Sequence, residues 1–224
     1  MTPGNRIVTE FPRASRDLVE ALGSVPTAII SDNLGRIIAA GPAIRPMHRG
    51  GVLTGTALTV RTRPGDNLMI HKAVDLARPG DVIVVESGAD LTNSLIGELI
   101  ISHAAARGVA GFVIDGAVRD LDFIAAGDVP VYAAGVTHRG PYKDGPGEIG
   151  VPVSLGGMVV ASGDVIVGDL DGVVAVPAPD AAEILDLCSA QIEREKGILA
   201  AIAGEGWDRS WVDVILKEKG YQLD

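Results

Sequence analysis

Three times in this chain a Gly-Asp pair opens a run of β-branched and small apolar residues: Gly80-Asp81 before VIVVE, Gly127-Asp128 before VPVYAA, and Gly163-Asp164 before VIVGDLDGVVAVP. Gly-Asp is turn chemistry, and a short, uniformly apolar run after a turn is the mark of a buried strand. Buried strands need cover, and the helical patterns between the first runs provide it. The recurrence is shared turn chemistry and does not establish a duplication.

Around these runs the remaining elements take their places. Gly51–Thr62 is β-branched and partly alternating, a strand with Gly55 as a candidate bulge. Asp171-Gly172 is a hairpin turn between two valine-rich strands. Helices are expected over Ser15–Leu22, over Pro26–Leu34 up to Gly35, and over Asn67–Arg78 with Asp66 as N-cap. Further helices are expected over Thr92–Arg107, from near Val118, over Asp180–Ala203 and over Arg209–Lys219, with a strand GFVID at 111–115. Strands alternate with helices in the first half, and hairpin-like strands cluster from Val129 to Val176. The expectation is an α/β fold with mixed sheets and outer helices, one domain over residues 1–224 with a helical extension from about residue 180.

Composition removes several functions. Aromatic residues are 4% against 29 Gly and 13 Pro, so the core must be Val, Ile, Leu and Ala joined by tight turns. The net charge is −10 with the basic residues scattered, which leaves no stripe for nucleic-acid phosphates or an anionic membrane. No stretch reaches the length of a membrane span and the N-terminus lacks a signal-peptide h-region. A single cysteine, Cys188, excludes an internal disulfide and a cysteine-based zinc site. A cytoplasmic protein is therefore expected. His48, His71, His103 and His138 have neither HxxxH nor HExxH spacing and read as structural or exposed. There is no G-x-S-x-G elbow, Walker loop or strand-bound G-x-G-x-x-G. Lys72 and Lys143 lie outside any apolar run that would activate them for a Schiff base.

The residues that could carry chemistry concentrate in ESGADLTNSLIGELIISHAAARGVAGFVIDGAVRD at 86–120, which puts polar residues at the C-terminal ends of two successive strands, where α/β sheets bind ligands. Gly97-Glu98-Leu99 falls near a helix start, whose free N–H groups suit a carboxylate or phosphate. Arg119 beside Asp120 pairs a cation that forks onto carboxylates with an oxygen ligand for a hard divalent ion. A solvated helix face, as at Arg16-Asp17, is the plainer reading of the same dipeptide. In the C-terminal helix, Ile184, Leu187, Cys188, Ile192, Leu199 and Ile202 form one stripe with Glu195 in its middle and Glu193 opposite. A carboxylate on such a face needs a metal or a partner, and an arginine at a subunit contact would also serve. Cys188 on that stripe reads as a small core residue.

The segment GELIISHAAARGVAGFVIDGAVRD, followed by PYKDGPGEIGVPVSLGGMVVASGDVIVGDLDGVVAVP, resembles the RraA-like family shared by 4-hydroxy-4-methyl-2-oxoglutarate aldolases and regulator of ribonuclease activity A. The likeness runs from about Val25 to Glu195. Its most specific element is an acidic residue, twenty intervening residues and Arg-Asp, here Glu98 and Arg119-Asp120, with Glu98 where the aldolases commonly have Asp. The resemblance implies an α-β-β-α sandwich like the swivelling phosphohistidine domain, assembled as homotrimers or hexamers. It implies that Asp120 binds a divalent cation, magnesium or manganese, that Arg119 contacts the oxo acid, and that Glu98 holds metal-bound water. The main chain around Gly97, Leu99 and Ile100 would receive the pyruvate carboxylate, and Glu195 from a neighbouring subunit would complete the site. The activity implied is metal-assisted cleavage of 4-hydroxy-4-methyl-2-oxoglutarate or 4-carboxy-4-hydroxy-2-oxoadipate to pyruvate, with oxaloacetate decarboxylation as a second reaction through the same enolate. Two alternatives stand beside it: a non-enzymatic regulator that inhibits a ribonuclease, which the extension through Asp224 disfavours, and an enzyme for another oxo acid.

Overall fold

The computed structural model describes residues 4–204 and 206–222. In chain order the elements are helices α1 (Arg16–Gly23) and α2 (Thr27–Asn33), strands β1 (Arg45–Pro46) and β2 (Leu53–Thr62), helix α3 (Leu68–Leu76), strand β3 (Asp81–Ile96), helix α4 (Glu98–Ala106), strand β4 (Gly111–Val118) and helix α5 (Leu121–Ala126). Strands β5 (Val131–Val136), β6 (Gly147–Ile149), β7 (Val153–Leu155), β8 (Met158–Val160), β9 (Val165–Gly168) and β10 (Val173–Val176) come next, then helices α6 (Ala181–Ala203) and α7 (Ser210–Glu218).

The run at 82–85 shows how the layers arise. Val82 and Val84 face one core, Ile83 and Val85 another, because successive strand side chains alternate between faces. The same division holds along β4, where Val113 goes one way and Phe112 and Ile114 the other. Strands β2 to β5 run parallel, and α3, α4 and α5 cover their outer face with Ile70, Ile100, Ile101 and Ile124. The sheet continues past β2 through antiparallel β9 and β10, in the order β1-β5-β4-β3-β2-β9-β10, with β6 also on β2. Its inner face packs Val82, Val84 and Val113 against Ile166, Ala175 and the separate β7–β8 hairpin. Val165, Val167, Val174 and Val176 turn outward onto α1, α2 and α6. The result is the α-β-β-α sandwich, with mixed sheet and outer helices.

Local chemistry accounts for most boundaries. Ser15 caps α1 by accepting from Leu18 N–H. Asp66 Oδ1 accepts from Leu68 N–H at 3.0 Å, so the expected cap operates although the helix begins one residue later. That helix ends at Leu76 rather than Arg78, because Ala77 is already extended ahead of Pro79. Gly55 is not a bulge: β2 pairs with β9 in regular register through it. Its requirement is closeness, since a Cβ there would meet the Gly80 carbonyl oxygen and Val82.

Two expectations are corrected. The stretch from Thr92 to Ile96 is strand, not the start of a helix, and the chain becomes helical only after Gly97. Ser94 pairs with Ala117 and Ile96 with Val118, so tertiary pairing overrides a pattern that reads as helical. For the same reason β4 runs on to Val118, past the expected end at Asp115, and α5 begins only at Leu121. Among the described residues no helix is long and apolar enough to cross a membrane.

Candidate active site

Strands β3 and β4 end side by side, and the segments just past their ends form one wall of a cleft of about 210 Å³. Gly97 caps α4, and Ile101 N–H returns to the Gly97 carbonyl at 3.1 Å to close its first turn. Helix geometry leaves the N–H groups of Glu98, Leu99 and Ile100 without intrahelical acceptors. Asp120 Oδ2 accepts from Glu98 N–H at 2.9 Å, and Leu99 and Ile100 line the cleft. The helix start thus presents donors and the positive end of its dipole to the cavity.

Arg119 and Asp120 sit in the turn between β4 and α5. Arg119 N–H bonds the Ile96 carbonyl at 3.0 Å, which ties this turn to the end of β3. Asp120 adopts the left-handed region at φ 58°, which Asp tolerates better than most residues, and backbone settings of this kind gather at functional sites. Arg119 Nε lies 3.6 Å from Asp120 Oδ2, with both side chains about 40% exposed. Gly97 is extended, so its lack of a side chain answers to space: a Cβ would stand 2.8 Å from Arg119 Cγ and closer still to Asp120 Oδ2. The four residues Gly97, Glu98, Arg119 and Asp120 are therefore one interlocked unit.

The rest of the cleft comes from segments distant in the sequence. Asn67, the N-cap of α3, and His71, one turn along that helix, line the cleft with Gly140, Pro141 and Lys143. Asn67 Nδ2 donates to the Leu95 carbonyl at 2.9 Å, and its buried Oδ1 has no partner among the described residues, the kind of acceptor that a ligand or water satisfies. Burial, the Lys143 ammonium and His103 push the His71 imidazolium to lose its proton more easily than usual, with Asp75 opposing them. The loop bearing Lys143 is held by Asp66, whose Oδ2 accepts from the N–H groups of Asp144 at 2.7 Å and Gly145 at 3.0 Å. Burial raises the Asp66 carboxyl, but these bonds, that of Leu68 and the Arg63 charge outweigh it and leave the group below its ordinary range. The 67/71 spacing was a legible signal for one helix face; Lys143 had none, because only the folded loop brings it here.

Glu195 is not part of this cleft within one chain. Helix α6 packs on α1 and α2, and Glu195 accepts from Gln191 Nε2 at 2.8 Å. Nor is its face buried as expected: Ile184, Cys188 and Gln191 are covered, but Leu199 is 64% exposed. A helix of 23 residues spans about 35 Å and outruns the short α1 and α2 beneath it. Cys188 is fully buried in the core, and burial pushes its thiol up.

This architecture is that of a known family. Residues 27–175 match the RraA-like family, described as Aldolase/RraA, and the chain belongs to it. A protein of Halalkalibacterium halodurans provisionally named a 4-hydroxy-4-methyl-2-oxoglutarate aldolase is 38% identical over 173 residues, covering 77% of this chain and 82% of that protein. An uncharacterised protein from Pseudomonas syringae pv. tomato has a crystal structure that superposes with a TM-score of 0.79 at 27% identity, covering 87% of this chain and 92% of that one. Streptomyces coelicolor RraAS2, described as an unusual member of the RNase ES inhibitor RraA protein family, superposes with a TM-score of 0.77 at 27% identity over 84% of this chain and 98% of its own.

Proposed function

We propose that the protein is a divalent-metal-dependent aldolase that releases pyruvate from 4-hydroxy-4-methyl-2-oxoglutarate or 4-carboxy-4-hydroxy-2-oxoadipate, with oxaloacetate decarboxylation as a second activity. The observation that carries this reading is the meeting of the α4 N-terminus with Arg119 in the cleft, with Asp120 beside it accepting from Glu98 N–H. The provisional aldolase name of the relative supports it.

The donor set fits a hard cation that keeps most of its water. Such an ion asks for one or two carboxylates rather than an all-protein cage, and Asp120 offers an exposed carboxylate with one oxygen already fixed by Glu98 N–H. Among the described residues no group of three or more His, Cys, Asp or Glu side chains is placed to hold a metal, so water and substrate would supply the remaining ligands. Magnesium or manganese held by Asp120 would supply positive charge for the oxygens of the pyruvyl end. The N–H groups of Leu99 and Ile100 bind the pyruvyl carboxylate, and Arg119 stabilises the negative charge that grows on the keto oxygen as the carbon–carbon bond breaks. Glu98, exposed in the first turn of α4, holds a water beside Asp120. Lys143 on the far wall sets a second cation where a substrate with a second carboxylate needs one.

Glu195 completes the site from a neighbouring subunit of a homotrimer or hexamer, and the uncovered apolar stripe of α6 supports that assembly. The scattered basic residues and single buried cysteine support a cytoplasmic enzyme of small molecules with no nucleic-acid or membrane partner. A second reading, inhibition of a ribonuclease, draws on the likeness to RraAS2. Pyruvate release coupled to lactate dehydrogenase, from the hydroxy-oxo acids and from oxaloacetate, with magnesium or with a chelator, separates the two. Metal-dependent release supports the enzyme; its absence, with capture and inhibition of a ribonuclease, supports the regulator.

A further inference from the structure

A long arginine side chain acts on a growing charge only if something holds its guanidinium in place. Asp120 Oδ2 lies 3.6 Å from Arg119 Nε, beyond hydrogen-bond reach. What packs against the guanidinium is backbone. A Cβ on Gly97 would come within 3.1 Å of Nε, and one on Gly140 would stand 3.3 Å from Nη1. At Gly140 that nitrogen is the one contact within 4 Å among the described residues, apart from the glycine's own chain neighbours. Gly140 is held in turn by a buried side chain: Asn93 Nδ2 donates to its carbonyl. Next to it, Ser94 N–H and Oγ–H both donate to the Arg139 carbonyl, at 2.8 and 2.9 Å.

Regular strand pairing would not bring Asn93 there. Asp90 pairs with Gly116 and Ser94 with Ala117, so Leu91, Thr92 and Asn93 are extra residues on the β3 side of the ladder. Extra residues in one strand re-aim side chains and gather beside active sites. We propose that Asn93 is a positioning residue for Arg119: through the Gly140 carbonyl it fixes the backbone on which the guanidinium rests, and so keeps that charge where the keto oxygen becomes an enolate. The role rests on the aldolase reading above. The rest of the segment is pinned independently, because Thr137 N–H bonds the Val118 carbonyl at 3.0 Å and Tyr142 N–H the Gly65 carbonyl at 2.8 Å. Loss of the Asn93 bond therefore loosens one peptide and leaves the loop in place. The keto oxygen is neutral in the substrate and anionic in the enolate, so the loss falls on kcat rather than KM.

The test compares full-length wild type with Asn93→Leu, which keeps the volume and removes the donor, both with magnesium. Pyruvate release gives kcat and KM, and calorimetry gives Kd for pyruvate and for oxalate, which carries a permanent anion where the enolate oxygen forms. A misplacement of 1 Å costs about 100-fold, so partial loosening should lower kcat at least about 10-fold with KM changed less than about 3-fold, and should weaken oxalate at least about 5-fold more than pyruvate. Tm should fall by no more than about 4 °C. In an Arg119→Lys background the same substitution should change oxalate binding less than about 2-fold, because residues that act as a unit do not add. Gly140→Ala, which keeps the Asn93 bond and crowds Nη1 directly, should repeat the loss in kcat and in oxalate binding. Wild-type kinetics in either variant overturn the assignment, and so does an equal penalty in the two backgrounds or an equal weakening of oxalate and pyruvate, while the aldolase reading stands. A wild-type protein that neither releases pyruvate nor binds oxalate overturns the aldolase reading, and the role of Asn93 with it.

Discussion

Replacing Gly97 with Ala tests whether the junction of strand ends and helix start is the working part of the cleft. The new Cβ would lie 2.8 Å from Arg119 Cγ and 3.1 Å from Nε, and nearer still to Asp120 Oδ2. Carbon atoms settle about 3.5–4.0 Å apart, so the Arg119 and Asp120 side chains must retreat by roughly 1 Å. Both are flexible and about 40% exposed, so the backbone need not move with them. The structural loss is the bond from Glu98 N–H to Asp120, worth about 1 kcal/mol when water can replace it, or a fall in Tm of roughly 2–4 °C for a chain of this size. The functional loss is far larger, because a 1 Å misplacement of a reacting group costs about 100-fold in rate. Pyruvate release at several magnesium concentrations, beside a thermal melt, measures both. A Gly97→Ala protein with kcat/KM within about 3-fold of wild type would refute the reasoning, and a Tm loss beyond about 10 °C would mean that Gly97 serves the fold.

Asp120→Asn keeps an oxygen for Glu98 N–H and a residue type suited to the left-handed backbone, so its Tm should stay within about 2 °C while magnesium-dependent release drops at least about 100-fold; unchanged magnesium titration would remove Asp120 from the metal. Asp66→Ala removes the acceptor of three N–H groups, those of Leu68, Asp144 and the buried Gly145, at about 1 kcal/mol each, and should lower Tm by roughly 6–12 °C by differential scanning calorimetry. Acid should act through the same group and through Glu148, whose carboxyl the hydrogen bond from Arg6 chiefly depresses against the opposing effect of burial. Both are lower in the folded chain than their ordinary 3.8 and 4.5, so their stabilisation is complete above those values and disappears as pH falls below them. Chemical denaturation from pH 6 to pH 2.5 should show a shallow decline, to which His71 contributes, that steepens below about pH 4.5; a curve with no steepening there would contradict the bonding described.

The two walls of the cleft differ in how far they could be read from the chain. Gly97, Glu98, Arg119 and Asp120 belong to strand-end and helix-start segments whose chemistry is local, so even a helix misplaced over Thr92–Ile96 did not hide them. The facing wall is assembled across the sequence: Asp66 grips Asp144 and Gly145 from 78 and 79 residues away, and Ser94 N–H reaches the Arg139 carbonyl. The 67/71 spacing puts Asn67 and His71 on one helix face, but no periodicity brings Lys143 to it, so the chain alone shows His71 as structural or exposed and Lys143 as a lysine outside any activating apolar run. Glu195 shows the opposite failure, because helical periodicity located its stripe but could not say that α1 and α2 are too short to cover it. This division has a mechanical consequence. Asp66 anchors the loop of Lys143 and caps the helix of Asn67 and His71, and among the described residues its side chain bonds to neither Arg119 nor Asp120. Loosening it with Asp66→Asn, which cannot accept all three N–H groups as a carboxylate does, should weaken the binding of substrates with a second carboxylate more than that of pyruvate alone. Equal loss for both ligands in inhibition and KM measurements would show that the two walls are coupled after all.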